Sequence, residues 1–127
     1  MASSPGELDK LIDRISRSDN IDDFKKILVP GYYHKVGRVD TKSAIEFIQY
    51  LNEFKKEFNL IESETVTIIN REFNGKMLCM GTWKWVVTIG NSEQRFTWTG
   101  NWSDIRAKCS DGLWRVVGTV GTVNTVR

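Results

Sequence analysis

The hydrophobic period of this 127-residue chain changes once, and that change decides its fold class. Up to about residue 58, apolar residues recur every three or four positions. From Glu62 onward they alternate with polar ones. The first pattern paints a stripe on a helix; the second paints one face of a strand. Turn signals then cut the alternating part into pieces. Asn74-Gly75 is a strong two-residue hairpin signal, and Gly90-Asn91 opens the next turn. Ser110-Asp111-Gly112 reads as a three-residue loop ending in a left-handed glycine. Four strands follow, near 62–73, 76–89, 93–109 and 113–125, joined by short loops as an antiparallel meander. Helices first and a meander second give an α+β class, with helical stripes buried on one face of the sheet. No linker, repeat or low-complexity stretch is visible, so residues 1–127 read as one domain.

The helical part has its own punctuation. Ser4-Pro5-Gly6-Glu7 has capping-box spacing, with Pro at the first helical position. Leu8, Leu11, Ile12 and Ile15 follow as one stripe. Ser18-Asp19-Asn20 breaks the chain and recaps it. Ile21, Phe24, Ile27 and Leu28 form a second, short amphipathic helix that Pro30-Gly31 ends. Tyr32 to Val36 is a short strand with Tyr32, His34 and Val36 on one face. Asp40 or Thr41 caps the longest helix, which carries Ala44, Ile45, Phe47, Ile48, Leu51, Phe54 and Phe58.

Strand parity assigns faces. On the 76–89 strand Met77, Cys79, Gly81, Trp83, Trp85 and Val87 share a face. The turn at Gly90 sets them beside Phe96, Trp98, Gly100, Trp102, Asp104 and Arg106. The loop at Ser110 adds Trp114, Val116 and Val120. The Asn74-Gly75 hairpin adds Glu64, Val66, Ile68 and Asn70. All five tryptophans of the chain therefore fall on one face, opposite the helices. A bulge would break this parity. Gly81 and Gly100 mark candidate bends.

The element order, and the stretch Trp98-Thr-Gly-Asn-Trp102-Ser-Asp104-Ile-Arg-Ala-Lys-Cys-Ser-Asp-Gly112-Leu-Trp114-Arg-Val-Val117, resemble the nuclear-transport-factor-2-like superfamily. Within it the pattern is similar to the polyketide-cyclase-like and ketosteroid-isomerase-like branches, where an Asp-Gly turn precedes Trp-x-hydrophobic on the closing strand. The resemblance implies a cone-shaped α+β fold, a curled antiparallel sheet wrapped on a long helix with two N-terminal helices. It implies a pocket at the open end of the cone and a homodimer through the outer sheet face. Functions in the superfamily range from isomerases, dehydratases and hydrolases to non-catalytic binding and assembly modules, and fold does not choose among them. Many members carry Gly just before the long helix; here the approach is Arg38-Val39-Asp40-Thr41.

Three side chains are candidates for acid–base work. Asp104 lies on the tryptophan face, where burial raises a carboxyl pKa and a neighbouring Arg106 lowers it. His34 is the only histidine, so any imidazole chemistry uses it. Tyr32 shares its face. Trp83, Trp85, Trp98, Trp102, Asn70, Arg106 and Cys79 are the expected lining of a pocket for a small apolar ligand. Cys109 lies about 17–24 Å from Cys79 along the sheet. That is beyond the reach of a disulfide, whose Cα atoms stay within about 7 Å. Free thiols fit a cytoplasmic location, as does an N-terminus without a basic and apolar leader. One histidine and two distant cysteines offer no metal-ligand spacing, and no phosphate loop, nucleophile elbow or dinucleotide fingerprint is present. No cofactor is expected. The net charge of +2 comes from interleaved basic and acidic residues, so neither nucleic acid nor a membrane is expected as a partner.

The leading reading is a non-catalytic binding or assembly domain, because no acid–base constellation compels an enzyme. One alternative is a cofactor-free isomerase, lyase or dehydratase using Asp104, His34 and Tyr32. Another is a protein-interaction module using the outer face, where Leu78, Met80, Ile69, Ile105 and Val117 stand among threonines.

Overall fold

A computed structural model describes residues 1–127. Its elements are α1 (Glu7–Arg17), a 3₁₀ segment (Ile21–Lys26), β1 (Leu28–Val36), β2 (Val39–Thr41), α2 (Ala44–Glu57), β3 (Phe58–Phe73), β4 (Lys76–Ile89), β5 (Phe96–Lys108), β6 (Trp114–Gly121) and β7 (Thr125–Val126). The sheet runs β2-β1-β6-β5-β4-β3, with β7 on β5. β1 and β6 pair in parallel; the other pairs are antiparallel. The sheet curls without closing, and the helices fill its concave side. No helix is long and apolar enough to cross a membrane.

The four expected strands of the meander are present. Asn74 (φ 49°) and Gly75 (φ 74°) both take left-handed backbone, which gives the primed turn that matches strand twist. Gly112 closes its loop at φ 84°. The predicted helix starts and stops are less well placed. Glu7 takes the N–H and hydroxyl of Ser3, not Ser4. Pro30-Gly31 ends no helix. It lies inside β1, where pairing with β6 is irregular between Leu28 and Tyr33, the kind of site where a sheet tolerates proline. Asp40 and Thr41 belong to β2, which folds back on β1. Ser43 caps α2, its Oγ accepting from the Glu46 N–H at 3.1 Å.

The core joins Leu8, Leu11 and Ile15 of α1 to Phe24 and Ile27, to Phe47, Ile48 and Leu51 of α2, and to Val116 of the sheet. α1 is also tied to β3 by charge. Asp13 accepts from the Ser63 hydroxyl (2.8 Å), the Thr65 hydroxyl (2.7 Å) and the Thr65 N–H (2.8 Å). Charge-assisted bonds of this kind are stronger than neutral ones.

Curvature comes from glycines and bulges. A Cβ on Gly81 would collide with the carbonyl of Val66; one on Gly100 would collide with the carbonyl of Thr122. Each glycine faces a tryptophan across the ladder. Gly81 pairs with Trp102 and Gly100 with Trp83, so the missing side chain is replaced by an indole. Bulges interrupt β3 between Leu60 and Glu62 and between Thr67 and Ile69, and a third shifts β5–β6 after Arg106–Val116.

These bulges revise the expected faces. Past the one at Thr67/Ile69, Ser63, Thr65 and Thr67 oppose Trp85, Trp83 and Gly81 on the concave side, while Glu64, Val66 and Ile68 turn outward. The extra residue in β6 brings Thr119, not Val120, opposite Asp104; Val120 pairs with Ser103 and is exposed. On β4 and β5, where pairing is unbroken, odd and even residues meet as expected.

Candidate functional site

Between α2 and the sheet lies an open cavity of about 190 Å³. Trp83, Trp85, Trp98 and Trp102 all line it, and Trp114 packs instead against the core. The four lining tryptophans differ in what their indole N–H groups do. Trp83 donates to the Thr122 carbonyl (3.1 Å) and Trp102 to the Thr82 carbonyl (2.9 Å). These two brace the bends at Gly100 and Gly81. Trp85 and Trp98 make no such bond. They form a wall with Phe54 of α2, at ring-centroid distances of 5.4 and 5.8 Å.

The polar groups gather on neighbouring strands. His34 of β1 pairs with Thr119 of β6, and Thr119 pairs with Asp104 of β5. Strands lie about 4.8 Å apart, so three inward side chains form a row. Tyr32 reaches this row from two residues earlier on β1. Its Oη lies 2.7 Å from His34 Nδ1 and 2.8 Å from Thr119 Oγ1. Phe47 of α2 backs both rings, at 5.3 Å from Tyr32 and 4.4 Å from His34. Burial pushes the Tyr32 phenol well above its ordinary range and pulls His34 down to about 4. Both are neutral at physiological pH. On the β2 side of His34, its partner Thr41 holds a buried hydroxyl without a hydrogen-bond partner.

Asp104 also lines the cavity, but its oxygens are occupied. Arg106 Nε donates to Oδ1 (3.0 Å) and Oδ2 (3.2 Å), and Nη2 donates to Oδ2 (3.1 Å). The same guanidinium donates to Asp9 Oδ1 (2.7 Å) and to the Pro5 carbonyl (2.6 Å) on the N-terminal side of α1. It sits over the Trp102 ring at 5.3 Å. One guanidinium shared by two carboxylates leaves a net negative charge in apolar surroundings. Burial therefore carries the Asp104 carboxyl up to about 6 against the pull of Arg106. Burial works against the charge on Arg106 too, yet Asp104 and Asp9 raise its proton affinity on balance.

Of the residues expected from sequence, Tyr32, His34, Asp104, Trp83, Trp85, Trp98 and Trp102 line one cavity. Arg106 and Cys79 lie outside the lining. Arg106 is turned toward α1, and Cys79 is buried opposite Asp104. Asn70, one strand further, is exposed because the cavity does not reach that end of β3. Thr119 and Thr65 were missed, both beyond bulges. Gly118 inside β6 is the one local sign of the irregularity there. No three His, Cys, Asp or Glu side chains converge as a metal site would require.

No protein-family model matches this chain, and no curated protein does. Solved structures do. A nuclear transport factor 2-like superfamily protein from Salmonella enterica aligns with a TM-score of 0.77 at 14% identity, covering 94% of this chain and 90% of its own. A ketosteroid isomerase-like protein from Erwinia carotovora aligns at 0.74 and 8%, covering 94% and 91%. ActVI-ORFA from Streptomyces coelicolor aligns at 0.77 and 7%, covering 95% and 93%. Identities this low speak to architecture alone. With the curled sheet, the long helix and the order of elements, they establish that this chain has the nuclear-transport-factor-2-like cone fold.

Proposed function

We propose that this domain binds a small, flat, mostly apolar molecule that carries one polar group. The observation that carries the reading is the convergence of an aromatic wall on the neutral Tyr32–His34–Thr119 cluster inside an open cavity. A pocket of this kind gains affinity from its apolar walls and orientation from its few polar groups. 2-Naphthol is a suitable probe, because it has two flat rings and one hydroxyl. Added to ¹⁵N-labelled protein, it is expected to shift the indole N–H signals of Trp85 and Trp98 saturably and to leave that of Trp114 in place. No saturable shift, or a shift of Trp114 alone, would count against the reading.

A catalytic reading has one observation in its favour: His34 and Asp104 share the cavity. With both Asp104 oxygens facing Arg106, acid–base work would fall to His34 and Tyr32, without a cofactor. A turnover lost on Asp104→Asn while the fold is kept would favour catalysis through Asp104 instead.

We also propose that two copies pair through the convex face. Ile69, Met80, Ile105 and Val120 are exposed there on four adjacent strands. An apolar patch rimmed by polar residues marks an interaction surface. Sedimentation velocity from low to high micromolar protein is expected to show a monomer–dimer equilibrium that Ile69→Lys moves to monomer. A monomer at every concentration would exclude the pairing.

A further inference from the structure

Ligand recognition at the polar end of the cavity depends on which way its hydrogen-bond chain runs. Tyr32 Oη has one proton and two partners, His34 Nδ1 and Thr119 Oγ1. The chain therefore has two senses. In one, Tyr32 donates to Thr119 and His34 Nδ1–H donates to Tyr32, which leaves Nε2 as a bare acceptor. In the other, Thr119 donates to Tyr32 and Tyr32 donates to Nδ1, which places the ring proton on Nε2 and makes it a donor. The senses differ by two hydroxyl rotations and a change of ring tautomer through solvent exchange. The number of bound protons is the same in both. Nε2 makes no hydrogen bond to protein and is not sealed from the cavity.

The neighbouring charges are already paired with one another. Asp104 is held through both oxygens by Arg106, and Arg106 distributes its N–H groups among Asp104, Asp9 and Pro5. An anionic ligand would lose its hydration and meet a cluster of net negative charge, which is costly in an apolar site.

Resting on the binding reading above, we propose that this end of the cavity accepts the hydroxyl or the carbonyl of an uncharged ligand about equally, through His34 Nε2 and the reversible Thr119–Tyr32–His34 chain, and rejects carboxylates. The site thus suits both members of an alcohol–ketone pair on a flat apolar skeleton.

Five tetralins of one shape test this on the unmodified protein by ligand-observed NMR titration at neutral pH: tetralin, 2-tetralol, 2-tetralone, tetralin-2-carboxylate and 2-aminotetralin. The alcohol and ketone are expected to bind within about threefold of each other. Tetralin is expected to bind about tenfold more weakly, the worth of one hydrogen bond. The carboxylate is expected to bind more weakly than tetralin, and the ammonium no better than the alcohol. His34→Leu is expected to bring alcohol and ketone down to the level of tetralin, while tetralin itself still binds. A preference above tenfold between alcohol and ketone would show a chain fixed in one sense and overturn the proposal. So would a charged member binding best, or tetralin matching the alcohol in the unmodified protein; in those cases the binding reading survives. If none of the five binds, both fail.

Discussion

The Thr119–Tyr32–His34 chain and the Asp104–Arg106–Asp9 cluster stand on neighbouring strands of the same concave face. Both are polar groups sunk in an apolar setting, and they solve that problem differently. The first is neutral, linked by two hydrogen bonds, and keeps one ring nitrogen unspent beside the cavity. The second is ionic, engages all three nitrogens of its guanidinium, and uses two of them to pin the start of α1 to the sheet. A buried charge needs a partner, and each charge of the ionic cluster is paired within the protein. The difference teaches that the more conspicuous group in this cavity, a buried aspartate, is already engaged by the protein. Beside it, His34 keeps a ring nitrogen without a protein partner.

Breaking the ionic cluster is expected to have the largest effect. Arg106→Leu leaves two carboxylates beside apolar groups with no cation, and is expected to cost about 3–5 kcal/mol in urea denaturation. Replacing the cluster as a whole, with Asp9→Asn, Asp104→Leu and Arg106→Met together, is expected to cost less than that single change. If the triple variant is the less stable of the two, the cluster contributes more than mutual neutralisation.

A smaller effect separates the clusters by pH. Asp104 has its folded pKa raised to about 6 from 3.8, so it holds a proton that the unfolded chain has lost. Its contribution is fully present below 3.8 and is lost as pH rises through about 6. His34 has its folded pKa lowered to about 4 from 6.5. Its contribution is present above 6.5 and is lost as pH falls through about 4. Between pH 7 and pH 5 each accounts for about 1–2 kcal/mol, with opposite sign. On acidification over that range, His34→Gln is expected to gain stability relative to the parent protein, and Asp104→Asn to lose it. Parallel stability profiles for the two variants would erase the distinction between the clusters.

The sequence carried the fold well where its signals were local. Asn74-Gly75 and Asp111-Gly112 fixed two turns through backbone that few residues adopt, and alternation through β4 and β5 put the tryptophans on one face. It carried the cavity in part. Tyr32 and His34 were found by parity on one short strand, and Asp104 by parity on an unbroken one. Thr119 and Thr65 were hidden because each follows an inserted residue, and one inserted residue reverses every later assignment on its strand. The role of Arg106 was hidden for another reason. Its partners Pro5 and Asp9 are about a hundred positions away, and no local pattern reports a contact of that range.

Gly81 and Gly100 set a length scale for the molecule. The ladder can come close enough to bend at these two points only because nothing projects there, and the indoles of Trp102 and Trp83 then occupy the inside of each bend. The radius of the cone is thus chosen by residues that present no side chain to a ligand. A methyl group at either one would push the walls apart and admit larger molecules or let water in, with every lining residue unchanged. Under the binding reading proposed above, reach and selectivity are separable: the glycines would gauge the size of a guest, and the tyrosine–histidine chain would read its polar group.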